Sequence, residues 1–267
     1  MIRWIFRIIR DNILYLPQTI CISKGDLKRQ YHASDLGFFW AVMKPLMYLL
    51  MFYFAISLGF KNAKNIDGSF CPYFIWLAAG IVQWQFISGL LVAGANCFYR
   101  RRTIIKNMKY PLLTIPMIAI FSKIRVYFIT IVIVIGIALV MGVKPSIYWL
   151  EIPIYIAFTI MFLYVWVLMT ALMNVMSNDI LEFIKTIRSA FFWLSGILFN
   201  VKGRGSRVFT YNPICYLAQG FRNVFAYHVW VWEERRLLFN FAVVMFILTT
   251  ITFLLYKRLE KRLPEML

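Results

Sequence analysis

Eleven carboxylates, two histidines and four cysteines are all that this 267-residue chain offers for bond-making chemistry, and their spacing assembles no catalytic set. His32 and His228 stand in different segments, so neither an HExxH pair nor a histidine-based triad forms. Asp179 and Glu182 are a close acidic pair near an apolar stretch. Cys21, Cys71, Cys97 and Cys215 contain no CxxC spacing and read as small apolar residues, with no disulfide framework or metal site implied. Gly203-Arg204-Gly205, the nearest glycine cluster, lacks the spacing and the GK[ST] ending of a phosphate-binding loop. Enzymatic turnover, a cofactor and a metal are therefore not expected within this chain.

The cations are plentiful instead. Lysine and arginine number 29 and the formal net charge is +18, which in a soluble chain would suggest nucleic acid. Composition excludes that reading, because 62% of the residues are hydrophobic and only 15% are charged. The apolar residues gather in six stretches, 37–60, 72–98, 111–141, 147–176, 183–201 and 237–256, each near the ~20 residues needed to cross a bilayer. Basic residues sit at the ends of these stretches and act as topology signals. With the N-terminus inside, Arg3, Arg7, Arg10, Lys24, Lys28 and Arg29, the run Arg100, Arg101, Arg102, Lys106 and Lys109, then Lys185, Arg188 and the tail Lys257, Arg258, Lys261 and Arg262 all face the cytoplasm. They outnumber the basic residues of the outer loops, so both termini are expected inside.

The fold expected is an all-α integral membrane protein with six transmembrane helices. Residues 1–34 form an N-terminal interfacial part and 35–267 the membrane domain. Arg3, Arg7 and Arg10 fall along one side of a helix, opposite Ile2, Ile5, Phe6, Ile9, Ile13 and Leu16, which suits a helix lying in the membrane plane. Its role is either plain anchoring or gating. Residues 24–31 are a polar segment leading into the first span, which carries Lys44-Pro45; the proline kinks it. Lys44 either snorkels to the inner interface or meets an anionic substrate. The third span is interrupted by Ser122, Lys123 and Arg125, which must face protein or a water-filled cavity, with Asp179 or Glu182 as a partner. Residues 208–232 are apolar but broken by Pro213, Gly220, Arg222 and His228, and read as a re-entrant pair of short helices from the outer face. Trp230 and Trp232 would stand at the outer interface. The many span aromatics serve interface belts and packing, and a minority of them a conduit on which sugar rings stack.

The run Asp26-Leu27-Lys28-Arg29-Gln30-Tyr31-His32-Ala33-Ser34-Asp35-Leu36-Gly37-Phe38-Phe39-Trp40, followed by Lys44-Pro45-Leu46, resembles the opening of polysaccharide-exporting ABC permeases, the type-2 ABC exporters. Lys109-Tyr110-Pro111 with Ile115-Pro116 is similar to that family's entry into the third span. Asn212-Pro213, Tyr216, Gly220, Phe221, Arg222 and Asn223 resemble its NPxxYxxxGxRN block, and the tail Tyr256-Lys257-Arg258-Leu259-Glu260-Lys261-Arg262 resembles its basic C-terminus. Gln30 and His32 depart from the family's basic residues, and Asp35 adds a charge. The family exports O-antigen, capsule and teichoic acid; Tyr148-Trp149-Leu150-Glu151 leans toward the teichoic-acid branch.

The resemblance implies a permease of a bacterial cell membrane that works as a homodimer with two separate ATP-binding subunits, which would hold the ATP and magnesium. The substrate implied is a lipid-linked glycan. It also implies site roles. Arg100, Arg101, Arg102, Ile104, Ile105 and Lys106 would couple to the ATPase. Lys24, Lys28, Arg29, Tyr31, Trp40 and Lys44 would gate the cytoplasmic entrance. Tyr48, Phe52, Phe191, Phe192 and Trp193 would line the channel, and Asn212, Pro213, Tyr216 and Arg222 would close it outside. An exporter of drugs or small lipids shares the six-span plan. A membrane-embedded acyl- or glycosyltransferase would need clustered acidic or histidine residues, which are missing.

Overall fold

The structure, a computed structural model, describes residues 1–31, 35–37, 39–59, 71–107, 110–198, 209–260 and 263, without the side chains of 27, 28, 30, 31, 56, 57, 59 and 107. Expectations resting on His32, Ala33, Lys109, Lys261, Arg262 or residues 60–70 and 199–208 lie outside the described residues. So do the side-chain roles of Lys28 and Tyr31. Among the described residues every regular element is helical.

Two helices precede the first apolar stretch: α1 (Ile2–Leu14) and α2 (Leu16–Tyr31). Helix α1 presents three faces where the sequence suggested two. Arg3, Arg7 and Arg10 are exposed, and so are Ile2, Phe6, Ile9 and Ile13 on the apolar side. A third stripe, Trp4, Ile8 and Asp11, turns into the protein. The polar segment at 24–31 proves to be the second half of α2. Its docked side is its polar one: Thr19, Ser23 and Asp26 share a face at helical spacing and meet Tyr110, Arg125 and Arg101.

The bundle follows. After α3 (Phe39–Gly59) and α4 (Tyr73–Ala95) come the short helices α5 (Cys97–Arg100) and α6 (Arg102–Asn107). Then come α7 (Ile115–Val140), α8 (Ile152–Met176), α9 (Asp179–Leu194), α10 (Pro213–Arg222) and α11 (Arg235–Leu259). Helix α4 is apolar on every side and is the central column, in contact with α3, α7, α8, α9 and α10, as a helix without a polar face must be buried all round. Proline in the first turn starts α7, α8 and α10, where a missing N–H costs nothing. Helix α7 stops at Gly142, whose φ of 82° lets Val143 N–H reach Ala138 O at 2.9 Å and Gly142 N–H reach Leu139 O at 3.0 Å, closing the free carbonyls of the last turn.

Among the described residues four segments are long and apolar enough to cross a membrane: Tyr73–Ala95, Leu112–Val140, Ile147–Met176 and Arg235–Leu259. In α3 the apolar stretch is Phe39–Ala55. Helix α9 differs from the span read at 183–201. It starts earlier, has 16 residues, and carries Asp179, Glu182, Lys185 and Arg188. At 1.5 Å per residue it covers about 24 Å, short of the roughly 30 Å of hydrocarbon. Among the described residues between α9 and α11, residues 209–210 are helical and α10 follows them. Helix α10 runs into a π-helical turn, Asn223–Tyr227, which ends at His228 in the left-handed region.

Candidate functional site

Helices α3, α4, α7 and α9 enclose a cavity of about 640 Å³. Its position follows from local chemistry. Pro45 lies inside α3, and its carbonyl accepts a hydrogen bond from Gln85 Nε2 at 3.1 Å, fastening α3 to α4. Lys44, Tyr48 and Phe52 recur every four residues and so face the cavity together; Arg188 and Phe192 do the same on α9.

One wall is a continuous run of rings. Tyr48 lies 4.8 Å from Phe52, Phe52 lies 5.3 Å from Phe192, and Phe192 lies 5.4 Å from Trp84 (ring centroids). Trp193 extends the wall, 5.7 Å from Phe192. Phe86 stacks on Tyr127 at 4.2 Å with the planes only 6° apart. Behind that wall Tyr127 O–H donates to Gln83 Oε1 and Gln83 Nε2 donates to Thr159 Oγ1, a buried chain across α4, α7 and α8. The network satisfies its polar groups and holds the Tyr127 ring in place. Three cations reach the same cavity, Lys44, Lys123 and Arg188, and among the described residues no carboxylate lines it.

The cavity is not sealed. Outward from it α3 exposes Met47, Met51 and Phe54, and α9 exposes Trp193 and Leu194. Helix α9 also exposes Glu182, Lys185, Thr186 and Ser189, a polar stripe that lipid would not tolerate at membrane depth.

Of the expected channel residues, Tyr48, Phe52, Phe192 and Trp193 line the cavity. Phe191 does not. One residue before Phe192 is about 100° round the helix, and Phe191 packs edge-on to Trp166 at 5.7 Å. Of the entrance residues whose side chains are described, only Lys44 reaches the cavity; Trp40 stands 38% exposed beside Phe39, and Lys24 and Arg29 are exposed on α2. Trp84, Gln85 and Arg188 enter the site without having been singled out for it. For Arg188 the available signal was its four-residue spacing to Phe192.

The basic segment is not uniformly exposed. Arg100, Arg102 and Lys106 are exposed and Ile104 is half-buried, whereas Ile105 packs into the core and Arg101 is buried in an ion pair with Asp26. Arg125 donates to Ser23 Oγ at 3.0 Å. The expected carboxylate partners are engaged elsewhere: Asp179 Oδ2 accepts from Ser177 Oγ at 3.2 Å, and Glu182 pairs with Lys185 at 2.5 Å. Both carboxylates are exposed, out of reach of the interior.

At the opposite end, Asn212 caps α10, accepting from Ile214 N–H at 2.9 Å, and its Nδ2 donates to Leu194 O at 3.0 Å and Ser195 Oγ at 3.1 Å. Pro213 is the first residue of the helix. Tyr216 and Arg222 are buried in the packed interior and do not border the cavity. The Arg222 guanidinium lies 3.5 Å from the Trp76 ring, donates to Gly196 O at 2.9 Å, and also donates to Ile197 O. Gly220 permits the packing of α10 on α8, since a Cβ there would stand 2.0 Å from the Tyr155 ring. Glu151 Oε1 accepts from Val231 N–H at 2.9 Å, tying the irregular segment to the start of α8. Burial holds the Glu234 carboxyl above its ordinary range.

Residues 17–226 match the ABC-2 type transporter family. Two proteins of Klebsiella pneumoniae named O-antigen export system permease protein RfbA are similar to this chain, at 25% and 23% identity over 93% of it and 94% of each relative. A Myxococcus xanthus protein of the same name is 19% identical over 83% of the chain and 85% of its own length.

Proposed function

The chain belongs to the ABC-2 type transporter family, and from that premise we propose that it is the membrane permease of an ATP-driven exporter of lipid-linked polysaccharide. Relatives named as O-antigen export permeases favour an O-antigen type of glycan over the teichoic acid to which the start of α8 leans. The observation that carries the reading is the ring-lined cavity between α3 and α9. Flat aromatic faces hold the apolar C–H faces of sugars without fixing one position, so a chain of sugars can slide past them.

In this reading the chain crosses the membrane six times, with α3 as the first crossing and the segment that begins with α9 as the fifth. Helix α10 with its π turn is the re-entrant element. The apolar faces of α3 and the mixed face of α9 meet a second copy, and the polar stripe Glu182, Lys185, Thr186 and Ser189 borders water in the conduit between them. Both termini are cytoplasmic. Exposed Arg102 and Lys106 on α6 face a separate ATP-binding subunit, which supplies the hydrolysis. The permease makes and breaks no covalent bond; it offers a path.

Depletion of the protein tests the reading. The expected outcome is lipid-linked glycan accumulating on the cytoplasmic side with loss of surface polymer. Normal surface glycan after depletion would overturn it.

A further inference from the structure

We propose that Glu234 is a proton-operated latch at the α10 end of the bundle. With a proton its side chain stays folded in against α8 and α10; without one it swings out to the start of α11 and lets α10 loosen. The latch adds regulation to the permease reading above and rests on that reading only for its consequence in export. Glu234 holds the N-cap position of α11, yet its side chain accepts no N–H of that helix. An anion is favoured there, since the free N–H groups of the first turn and the helix dipole both attract negative charge. The side chain turns inward instead. It is half-buried beside Asn223 of the π turn, with Oε2 shut off from solvent.

The polar groups it meets there are not satisfied. Glu234 Oε2, Asn223 Nδ2, the Tyr155 hydroxyl and the Tyr216 hydroxyl are all buried without a hydrogen-bond partner. The two tyrosines are 0% and 2% exposed, their rings lie 6.1 Å apart, and both stand close enough to Glu151 and Glu234 to feel their charge. Asn223 Oδ1 is already taken by Gln219 Nε2 at 3.1 Å, which leaves its nitrogen to serve Glu234. A neutral carboxyl can accept from Asn223 and also donate to a tyrosine oxygen; a carboxylate can only accept.

The charged surroundings do not favour an anion either. Tyr155 and Glu151 face the cluster from the α8 side, and Cys215 and Tyr216 from α10. On its own segment Glu233 and the exposed Arg235 and Arg236 are the neighbours. Arg222, the cation of α10, is turned to Trp76 and to the carbonyls of Gly196 and Ile197. The ion pairs among the described residues include neither Glu151 nor Glu234. Glu151 Oε1 is held by Val231 N–H at 2.9 Å and fastens the segment, so Glu234 is the carboxyl with two positions open to it. Burial raises the Glu234 carboxyl against the weaker opposing pull of Asn223. The folded-in position is therefore fully favoured below the ordinary carboxyl value and loses ground as pH rises through the raised one, the proton leaving to the solution. In the permease reading α10 lies outside, so an acid exterior holds that end shut.

The test uses the permease assembled with its ATP-binding subunit in phosphatidylcholine nanodiscs. Hydrogen exchange of residues 213–234 is followed at about pH 5 and about pH 8, each corrected for the pH dependence of unprotected amides. Corrected exchange in the parent should be about tenfold slower at the lower pH. Glu234→Gln, uncharged at every pH, should exchange slowly at both, and Glu151→Gln should keep the response of the parent. Equal corrected exchange at both pH values in the parent, or a pH response that survives in Glu234→Gln, would overturn the latch. Depletion separates the two proposals. Glycan export lost on depletion, with exchange indifferent to pH, leaves the permease standing and sinks the latch; a pH response abolished by Glu234→Gln, with normal surface glycan after depletion, does the reverse.

Discussion

Arg222 and Lys123 are both cations set among apolar helices, and the protein treats them in opposite ways. Arg222 is 2% exposed, with an indole on its face and the carbonyls of Gly196 and Ile197 on its terminal nitrogens. Lys123, with Lys44 and Arg188, looks into an open cavity without a carboxylate among the described residues of its lining. A buried cation whose terminal nitrogens are hydrogen-bonded to main-chain carbonyls acts as a fastener. A cation left facing space keeps its capacity for a ligand at the expense of stability. The end of the bundle around α10 is therefore read as a clamp, and the cavity between α3 and α9 as the working part.

The largest effect should come from the clamp. In Arg222→Met two buried carbonyls lose their donors, at about 1–3 kcal/mol each, and Trp76 loses its cation. Gly80 leaves room for the guanidinium against α4, so a smaller group also leaves a gap. Thermal unfolding of the assembled complex should shift down by many degrees, and the segment joining α9 to α10 should become open to protease. A variant with the melting temperature of the parent would break the contrast between clamp and cavity.

Lys123→Met should move stability in the other direction, and by less. A charge within a membrane helix costs about 2.5–3.5 kcal/mol at the bilayer centre; Lys123 is only half-buried and opens on a cavity, so relief of about 1 kcal/mol is expected. The complex should melt slightly later and export poorly. A destabilised Lys123→Met would mean that the ammonium is paired in the native state and would remove the distinction drawn from Arg222.

The same contrast decides what was legible in the sequence. Spans announce themselves because about 20 apolar residues in a row have few other uses, and Tyr48 and Phe52, four residues apart, share one face once the first span is placed. Phe191, one residue from Phe192, stands on a different face of α9, against Trp166. Charge proved harder. Arg188 looked like one more topology signal, and Arg125 looked in need of a carboxylate when a serine hydroxyl on α2 was enough. Helix α2 was missed because helices are found by apolar periodicity, and here the stripe that docks is Thr19, Ser23 and Asp26. Whether a cation is tied or idle depends on partners remote in sequence, Gly196 for Arg222 or Asp26 for Arg101, and no local pattern reports them.

Between clamp and cavity lies a third kind of cation, which should show the smallest effect. Arg7 on α1 is paired with Glu260 at 2.6 Å and sits 3.6 Å from Asp11, but its side chain is 47% exposed and that of Glu260 is 37% exposed. The hydrogen bond from Arg7 to Glu260 holds the guanidinium further above its usual value, so no titration of Arg7 occurs at any pH the complex survives. Screened pairs of this kind are worth about 0.2–1 kcal/mol. What fixes α1 is Trp4, buried against Phe253 and Tyr256 with ring centroids 5.5 and 5.9 Å away. Glu260→Gln should therefore leave the melting temperature within a degree or so of the parent, and raising salt from 50 to 500 mM should erase any remainder. Hydrogen exchange along α1 should likewise be unchanged in Glu260→Gln and clearly faster in Trp4→Ala. If Glu260→Gln instead frees α1 as fully as Trp4→Ala does, exposure is not what separates Arg7 from Arg222. The pair would then belong with the clamp, holding the interfacial helix to the end of α11 by charge and not by the indole.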